Sequence, residues 1–144
     1  MAPKAGYSTP MLHVADIARS LRFYELLGFE TIDTEGEPPG WARMHCEGGA
    51  LMFLANEEED DAPGHAAPPA LMLVMYCPDL PALREHLLAQ GVKVSAITHP
   101  PYMPSGEINF RDPDGNFLNI CHWGKPEHEA WEKRLAEKKA ATEK

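Results

Sequence analysis

The chain has 144 residues, of which 44% are apolar and 24% are charged. These values fit one compact globular domain and exclude collagen-like and wholly disordered chains. An excess of acidic side chains gives a net charge of −9, which disfavours nucleic acid and anionic membrane surfaces as partners. No apolar run approaches the roughly 18 residues that cross a bilayer, and the first six residues lack a signal-peptide core. We therefore expect a cytoplasmic protein with no membrane partner.

The cysteines give little support for a cross-linked or zinc-stabilised fold. Their number is odd, and Cys46, Cys77 and Cys121 show no Cys-x-x-Cys spacing. Disulfide frameworks and structural zinc sites require paired or closely spaced cysteines. The sequence therefore predicts three reduced thiols.

A weak internal repeat appears when the chain is shifted against itself by 63 residues, so that Asp16 falls on Asp79 and Gly28 on Gly91. Each copy starts with an apolar, strand-like run that stops at the Asp. The Asp can cap a following helix of about eleven residues, and the Gly can take the left-handed conformation that ends it. The repeat therefore predicts the same strand–helix unit twice.

In the first copy the predicted helix covers residues 17–27, with an apolar stripe formed by Ile17, Leu21, Tyr24 and Leu27. Strands are predicted over residues 9–14, 29–33, 42–46 and 50–55. Glu47, Gly48 and Gly49 form the turn between the last two strands. Residues 56–69 then combine an acidic run with Pro, Gly and Ala, which predicts an exposed linker.

In the second copy the predicted helix starts at Leu80, and its apolar stripe is less regular. Strands are predicted over residues 71–76, 92–98, 107–111 and 117–122. The turn at residues 112–116 has a composition that its geometry explains, and we assign it no chemistry. A charged helix follows from residue 126, with Trp131 and Leu135 four residues apart, and we expect Trp131 to dock on the body or on a second subunit.

The predicted order is β-α-β-β-β twice, in an α+β fold. Two such tandem modules would form a curved mixed sheet around a cavity, with an additional C-terminal helix. We expect one domain over residues 1–144. Its parts are module one at about 7–55, the acidic linker at 56–69, module two at about 70–124 and the helix at about 126–142.

Two motifs in this duplicated frame resemble those of a known family. They are Asp16-Ile17-x-x-Ser20-Leu21-x-Phe23-Tyr24-x-x-Leu27-Gly28-Phe29 and Asp112-Pro113-Asp114-Gly115-Asn116. Together they resemble the glyoxalase/bleomycin resistance/dioxygenase family, the vicinal oxygen chelate superfamily. The resemblance covers about residues 8–124 and leaves the C-terminal helix outside.

The resemblance implies where a metal would be bound. Metal enzymes of that superfamily use His, Glu or Gln, His and Glu, one from each of four strands. The corresponding residues here are Thr9, Met52 (or Phe53 if the register differs by one), Met72 and Asn119. None is a strong ligand for a hard or borderline cation, and thioethers prefer soft ions. The resemblance therefore implies the metal-free branch, with no cofactor, whose members bind bulky drugs such as bleomycin.

Strand alternation extends these four positions into a candidate ligand-binding face. The residues on it are Thr9, Met11, His13, Met52, Leu54, Met72, Val74, Tyr76, Phe117, Asn119 and Cys121. This mainly apolar, sulfur-rich lining suits an aromatic or otherwise hydrophobic ligand, although the same side chains could simply form a core. Trp41, Tyr102 and Trp123 could form an aromatic rim around the ligand or seal a dimer interface.

The face also holds weak catalytic candidates. His13 could act as a base, with Tyr76 at the equivalent position of the second copy as acid or oxyanion donor; a buried core histidine is the alternative. A displaced metal site would have to use His13, His45, Glu47 or His122, whose strand parities do not converge. Cys121 and His122 point to opposite faces of a strand, so Cys121 is interpreted as an inert buried thiol.

These observations favour a small-molecule binding protein that resembles bleomycin resistance proteins. We expect it to be a homodimer that sequesters a hydrophobic or cationic aromatic compound without a metal. The alternative is a glyoxalase-like lyase, isomerase or dioxygenase with a rearranged metal site, so the sequence leaves enzymatic activity open. A third reading is a scaffold or regulatory subunit that has lost its pocket chemistry.

Overall fold

The computed structural model describes residues 3–5, 8–56 and 71–142, which form two compact units. The first unit comprises the described residues up to Asn56 together with Asp112–Gly115. The second comprises the described residues from Leu71 to Arg111 and from Asn116 onwards. Apart from Asn56, the predicted acidic linker lies outside the described residues.

The first unit has the predicted β-α-β-β-β order. Its elements are β1 (Met11–Val14), α1 (Ile17–Glu25), β2 (Glu30–Glu35), β3 (Trp41–Cys46) and β4 (Gly49–Ala55). The strands form one mixed sheet in the order β1-β4-β3-β2, in which β1 runs parallel to β4 and the other pairs are antiparallel. We refer to this as the first sheet.

Helix α1 begins at the predicted residue, Ile17, but ends at Glu25 instead of Leu27. The Asp16 carboxylate accepts a hydrogen bond from the Arg19 N–H at 3.2 Å, and Gly28 has a φ of +93°. The chain between Glu25 and Gly28 tightens into a turn, because the N–H of Leu27 bonds to the carbonyl of Tyr24, three residues back. Such short-range bonds are a common way to satisfy the last carbonyl groups of a helix.

Aromatic side chains join α1 to one face of the first sheet. The ring of Tyr24 lies 5.1 Å from that of Phe53 and 5.6 Å from that of Phe29, centroid to centroid. Other buried apolar side chains of this core are Leu12, Val14, Ile17, Ala42, Met44 and Leu51. Because successive side chains of a strand alternate between faces, this core leaves the opposite face of the sheet for other contacts.

The second unit contains β5 (Met72–Cys77), α2 (Leu80–Ala89), β6 (Glu107–Arg111), β7 (Phe117–His122) and α3 (Lys125–Thr142). The strands form a second mixed sheet in the order β5-β7-β6, with β5 parallel to β7 and β6 antiparallel to it. Helix α2 packs on β6 and β7. The predicted α+β class is confirmed, with two mixed sheets and a C-terminal helix.

The strand predicted over residues 92–98 is wrong. This segment precedes β6 in the chain and lies beside it, but the two pair in the regular antiparallel pattern only where Thr98 faces Glu107. The carbonyl of Ser95 accepts a hydrogen bond from Arg84 Nε at 2.8 Å, and the Ser95 hydroxyl accepts the Asn109 N–H in its place. The Ser95 hydroxyl therefore replaces the Ser95 carbonyl as the acceptor for β6, and the regular hydrogen bonding of a strand is interrupted at this residue.

The turn between β6 and β7 contains Asp112–Gly115, which belongs to the first unit. Its side chains bind α1, in addition to forming the turn. The Asp114 carboxylate accepts hydrogen bonds from the Ala15 N–H at 2.8 Å and the Ser20 hydroxyl at 3.4 Å. It also forms an ion pair with Arg19 at 3.3 Å. Because the carboxylate lies beside the first turn of α1, the helix dipole favours its charge.

The neighbouring Asp112 holds α1 through a buried hydrogen bond. The Tyr24 hydroxyl donates to Asp112 Oδ2 at 2.7 Å, and both side chains are buried. Burial, together with the charge of Asp112, raises the pKa of Tyr24 far above its usual value. The phenol therefore stays a neutral donor, and this bond contributes directly to the stability of the first unit.

None of the described residues of helix α3 is buried. Trp131 is 45% exposed and Leu135 is 37% exposed, so Trp131 is not buried against the body as the sequence predicts. Docking on a second subunit stays a prediction. None of the helices in the described ranges has the length and apolar character needed to cross a membrane.

Replacing Tyr24 by Phe should destabilise the protein by about 1–3 kcal/mol, because the buried Asp112 carboxylate loses a donor that water cannot replace. Tyr76→Phe is the matched control, since Tyr76 is 58% exposed. Urea denaturation followed by circular dichroism measures both variants. Equal stability of the two variants would show that the Tyr24 hydroxyl bond is not a stabilising contact.

Candidate functional site

The face of the first sheet that α1 does not cover carries most of the predicted site residues of module one. We call it the first open face; its residues are Met11, His13, Trp41, Arg43, His45, Met52 and Leu54. Met11 and His13 are exposed, whereas the alternating Leu12 and Val14 are buried. Met52, rather than the fully buried Phe53, lies on this face.

An arginine that the sequence analysis missed occupies the centre of the first open face. Arg43 pairs with Met52 across β3 and β4, and its guanidinium donates to Met52 Sδ at 3.8 Å and to Thr9 Oγ1 at 3.5 Å. Its Nε also donates to His45 Nε2 at 2.9 Å. Strand alternation applied to β3 would have placed Trp41, Arg43 and His45 together on this face.

The corresponding face of the second sheet consists of three rows of side chains across β5, β7 and β6. The rows are Tyr76–Cys121–Glu107, Val74–Asn119–Asn109 and Met72–Phe117–Arg111. We call these nine residues the second open face. The other side of the sheet carries buried apolar side chains, namely Leu73, Ile108, Phe110, Leu118 and Ile120.

A buried polar network lies in the middle of the second open face. The Asn119 amide nitrogen donates to Glu107 Oε2 at 2.9 Å and to Asn109 Oδ1 at 2.7 Å, while the Cys121 thiol donates to Asn119 Oδ1 at 3.0 Å. The exposed Tyr102 donates its hydroxyl to Glu107 Oε1 at 2.7 Å. Asn119 and Cys121 were predicted on this face, whereas Glu107 and Asn109 were missed.

Two members of the network have raised pKa values. The hydrogen bond that the Tyr102 hydroxyl donates to the Glu107 carboxylate raises the pKa of Tyr102. Burial, and then the charge of Glu107, raises the pKa of the Cys121 thiol. A thiol held in its protonated form is a poor nucleophile, which agrees with the interpretation of Cys121 as inert.

Apolar side chains on β5, at the edge of the sheet, lie beside this network. Met72 is 52% exposed, Val74 is 47% exposed and Tyr76 is 58% exposed. The Tyr76 ring lies 5.2 Å from that of Trp123, centroid to centroid. Trp123 therefore borders the second open face, as an aromatic rim would.

A cavity of about 420 Å³ lies at the opposite end of the second open face. Its lining residues are Lys93, Asn109, Phe110, Arg111 and Phe117. The Arg111 guanidinium lies over the Phe117 ring at 5.4 Å from the centroid. This end of the face is therefore basic and aromatic, in contrast to the acidic network around Glu107.

The remaining predicted residues have separate surroundings. His13 belongs to the first unit and Tyr76 to the second, so their partnership in catalysis stays a prediction. His122 lies 3.2 Å from Glu127, whose carboxylate also accepts the Gly124 N–H at 3.0 Å. His122 thus helps to fix the start of α3.

The residues at the superfamily's metal positions do not fit a divalent ion. Thr9 and Met52 already contact the positively charged Arg43, and the Asn119 amide presents its nitrogen to Glu107. Thioether, hydroxyl and amide groups are weak ligands for borderline cations. Within the part of the chain that the structure describes, no three His, Cys, Asp or Glu side chains come together to hold an ion.

Comparison with known proteins identifies the family. The sequence profile of the Glyoxalase/Bleomycin resistance protein/Dioxygenase superfamily matches residues 7–120, so the chain belongs to this superfamily. The resemblance in the sequence motifs is thereby confirmed. A search of curated protein sequences finds no significant match.

Solved structures share the fold at low sequence identity. A bleomycin-binding protein complexed with bleomycin is 20% identical, with a TM-score of 0.63, over 83% of this chain and 99% of that one. The bleomycin resistance determinant encoded on transposon Tn5 is 20% identical, with a TM-score of 0.62, over 82% of this chain and 98% of that one. Lactoylglutathione lyase from Agrobacterium tumefaciens is 19% identical, with a TM-score of 0.63, over 86% of this chain and 100% of that one. Such likenesses establish the fold alone.

The donor chemistry predicts that the protein binds no nickel, zinc, manganese or iron in near-stoichiometric amount. Elemental analysis of untagged protein purified without chelators, before and after incubation with each ion, measures this directly. One ion per chain would contradict the prediction and direct attention to the displaced set His13, His45, Glu47 and His122.

Proposed function

We propose that this protein binds and sequesters a hydrophobic or cationic aromatic small molecule without the help of a metal. The observation that carries the proposal is the second open face, where exposed apolar side chains on β5 adjoin a buried polar network. Ligand sites in proteins combine these two features: apolar area supplies affinity, and a few fixed polar groups set the ligand's orientation.

The apolar part of this face is concentrated on β5. Met72, Val74 and Tyr76 occupy alternating positions of one strand, and each is close to half exposed. Contiguous apolar patches of this kind mark binding sites more often than scattered single residues do. At about 25 cal/mol per Å², covering these side chains with an aromatic ligand would favour binding by several kcal/mol before the entropic cost of association.

The polar network supports orientation rather than chemistry. Asn119 is fixed by three hydrogen bonds to Glu107, Asn109 and Cys121, which preorganises the groups that a ligand would meet. The Cys121 thiol is held protonated, so it is not prepared for nucleophilic attack. The mechanism that we propose is retention of the compound away from its target, with no chemical step.

The superfamily gives this proposal a precedent. One of the solved structures that share the fold is a bleomycin-binding protein in complex with bleomycin. The acidic chain, with its net charge of −9, would attract a cationic compound of that kind and repel nucleic acid. The precedent concerns the type of activity, which is the binding of a small molecule.

We further propose that the protein acts as a cytoplasmic homodimer. The unpaired thiols Cys46, Cys77 and Cys121 suit a reducing compartment. Trp131 and Leu135 on α3 expose apolar area that a second copy could cover. Sedimentation equilibrium that gives the mass of a single chain at micromolar concentration would contradict the homodimer.

The proposal is tested by isothermal calorimetry, in separate titrations with bleomycin and with the aromatic cation berberine. At least one of the two compounds should bind saturably, and it should be recovered unchanged. Asn119→Ala should weaken that binding about tenfold, since Glu107 and Cys121 lose the amide that orients them. Asn56→Ala, at an exposed position of the first unit, is the matched control. Absence of saturable binding to both compounds would refute the proposal, and equal affinities of the two variants would refute the second open face as the binding site.

A further inference from the structure

Glu107 is held rigidly in the second open face. Only 4% of the residue is exposed, although the face that it belongs to is the one that α2 leaves uncovered. Its N–H donates to the Thr98 carbonyl at 2.9 Å, and its own carbonyl accepts the Thr98 N–H at 3.0 Å. The backbone at the start of β6 is therefore fixed, and the carboxylate has a defined position.

The hydrogen-bond partners of this carboxylate are neutral. Oε1 accepts the Tyr102 hydroxyl and Oε2 accepts the Asn119 amide. Among the described residues, no Lys, Arg or His forms an ion pair with Glu107. Arg111 lies four residues further along β6, which is about 13 Å in an extended strand. A buried carboxylate without a cationic partner is costly, and a cationic ligand would offset that cost.

The carboxylate also has unused hydrogen-bonding capacity. An ionised carboxylate has about four acceptor sites, and these two neutral donors occupy one on each oxygen. The charge acts on its surroundings, because it contributes to the raised pKa values of Tyr102 and Cys121. A ligand that brings a positive N–H group would supply both the missing charge and the missing donors.

We propose that Glu107 is the group that selects the ligand of this protein, and that it binds a protonated amine or amidine attached to a flat apolar body. This inference rests on the proposed function and narrows it from hydrophobic or cationic compounds to cationic ones. The contact is a charge-assisted hydrogen bond in a site largely removed from water.

The rows of the second open face set the shape of that ligand. Tyr76, Cys121 and Glu107 lie in one row across three strands, so Tyr76 is about 10 Å from Glu107 at the usual strand spacing. A two-ring aromatic body attached to a positive group at Glu107 is long enough to reach Tyr76, which is the exposed side chain of this row. The Tyr76–Trp123 pair then provides an aromatic surface at that end.

A pair of probes of equal shape separates charge from apolar contact. These are 2-naphthylmethylammonium and its neutral analogue 2-naphthalenemethanol, each titrated into the full-length protein by isothermal calorimetry at pH 7. We expect the cation to bind the wild type about tenfold or more tightly than the alcohol. Glu107→Gln, which keeps the size of the side chain, removes its charge and replaces one acceptor oxygen by an NH₂ donor, should abolish this preference.

Glu85→Gln is the matched control, because it removes the same charge from an exposed position on α2 of the same unit. It should retain the preference. If Glu107→Gln does not fold by circular dichroism, Glu107→Asp replaces it. The shortened side chain should weaken binding of the cation several-fold and leave the alcohol unchanged.

The outcomes distinguish this inference from the proposed function. Equal affinity of the wild type for both probes, or a preference that persists in Glu107→Gln, would overturn the role of Glu107 and leave small-molecule binding intact. An equal effect of Glu107→Asp on both probes would do the same. Failure of both probes, of bleomycin and of berberine to bind the wild type would refute the proposed function itself.

Discussion

The hydrogen bond between Asn119 and Glu107, 2.9 Å long and buried, is the interaction on which the account of the second open face depends. Without it, a carboxylate that is 4% exposed would have only the exposed Tyr102 hydroxyl to stabilise its charge. The same amide fixes Asn109 and accepts the Cys121 thiol, so one side chain orders the whole network. A network of this kind is stabilising only when every member is satisfied. The unused acceptor sites of Glu107 are therefore the natural position for a ligand's donors.

The open faces of the two sheets differ in their chemistry. Both sheets have an apolar face covered by a helix and an open face with alternating polar and apolar side chains. The first open face has the cation Arg43 at its centre, where it contacts Thr9 and Met52. The second has the anion Glu107 within its network. Of the four metal positions expected from the superfamily, Thr9 and Met52 contact the arginine, Asn119 belongs to the amide network and Met72 is exposed. Neutral side chains thus occupy the positions where metal enzymes of this superfamily have ligands, and the charged Arg43 and Glu107 lie beside them.

Most of the fold could be predicted because its signals are local. The Asp16 cap, the glycine after α1 and the alternation along β1 each depend on residues a few positions apart, and all three were confirmed. The errors arose from contacts between distant residues. Arg84 takes the Ser95 carbonyl and interrupts a predicted strand, and the Asp114 turn binds α1 from almost a hundred positions away. The open faces were predicted in part, since alternation from the expected metal positions placed Asn119 and Cys121. Alternation along β3 and β6 would also have placed Arg43, Glu107 and Asn109 on these faces, but the residues they lie opposite depend on strand register, which no local pattern specifies.

The most direct test of the account is a two-dimensional ¹H–¹⁵N spectrum of the side-chain amides during titration with 2-naphthylmethylammonium. Each Asn side chain gives its own pair of signals, and Asn119 and Asn109 lie within the network that contacts Glu107. We expect the signals of these two side chains to shift together and to saturate at one ligand per chain, while those of the exposed Asn56 stay in place. Saturable binding that leaves both network amides unchanged would contradict the assignment of the second open face as the ligand site.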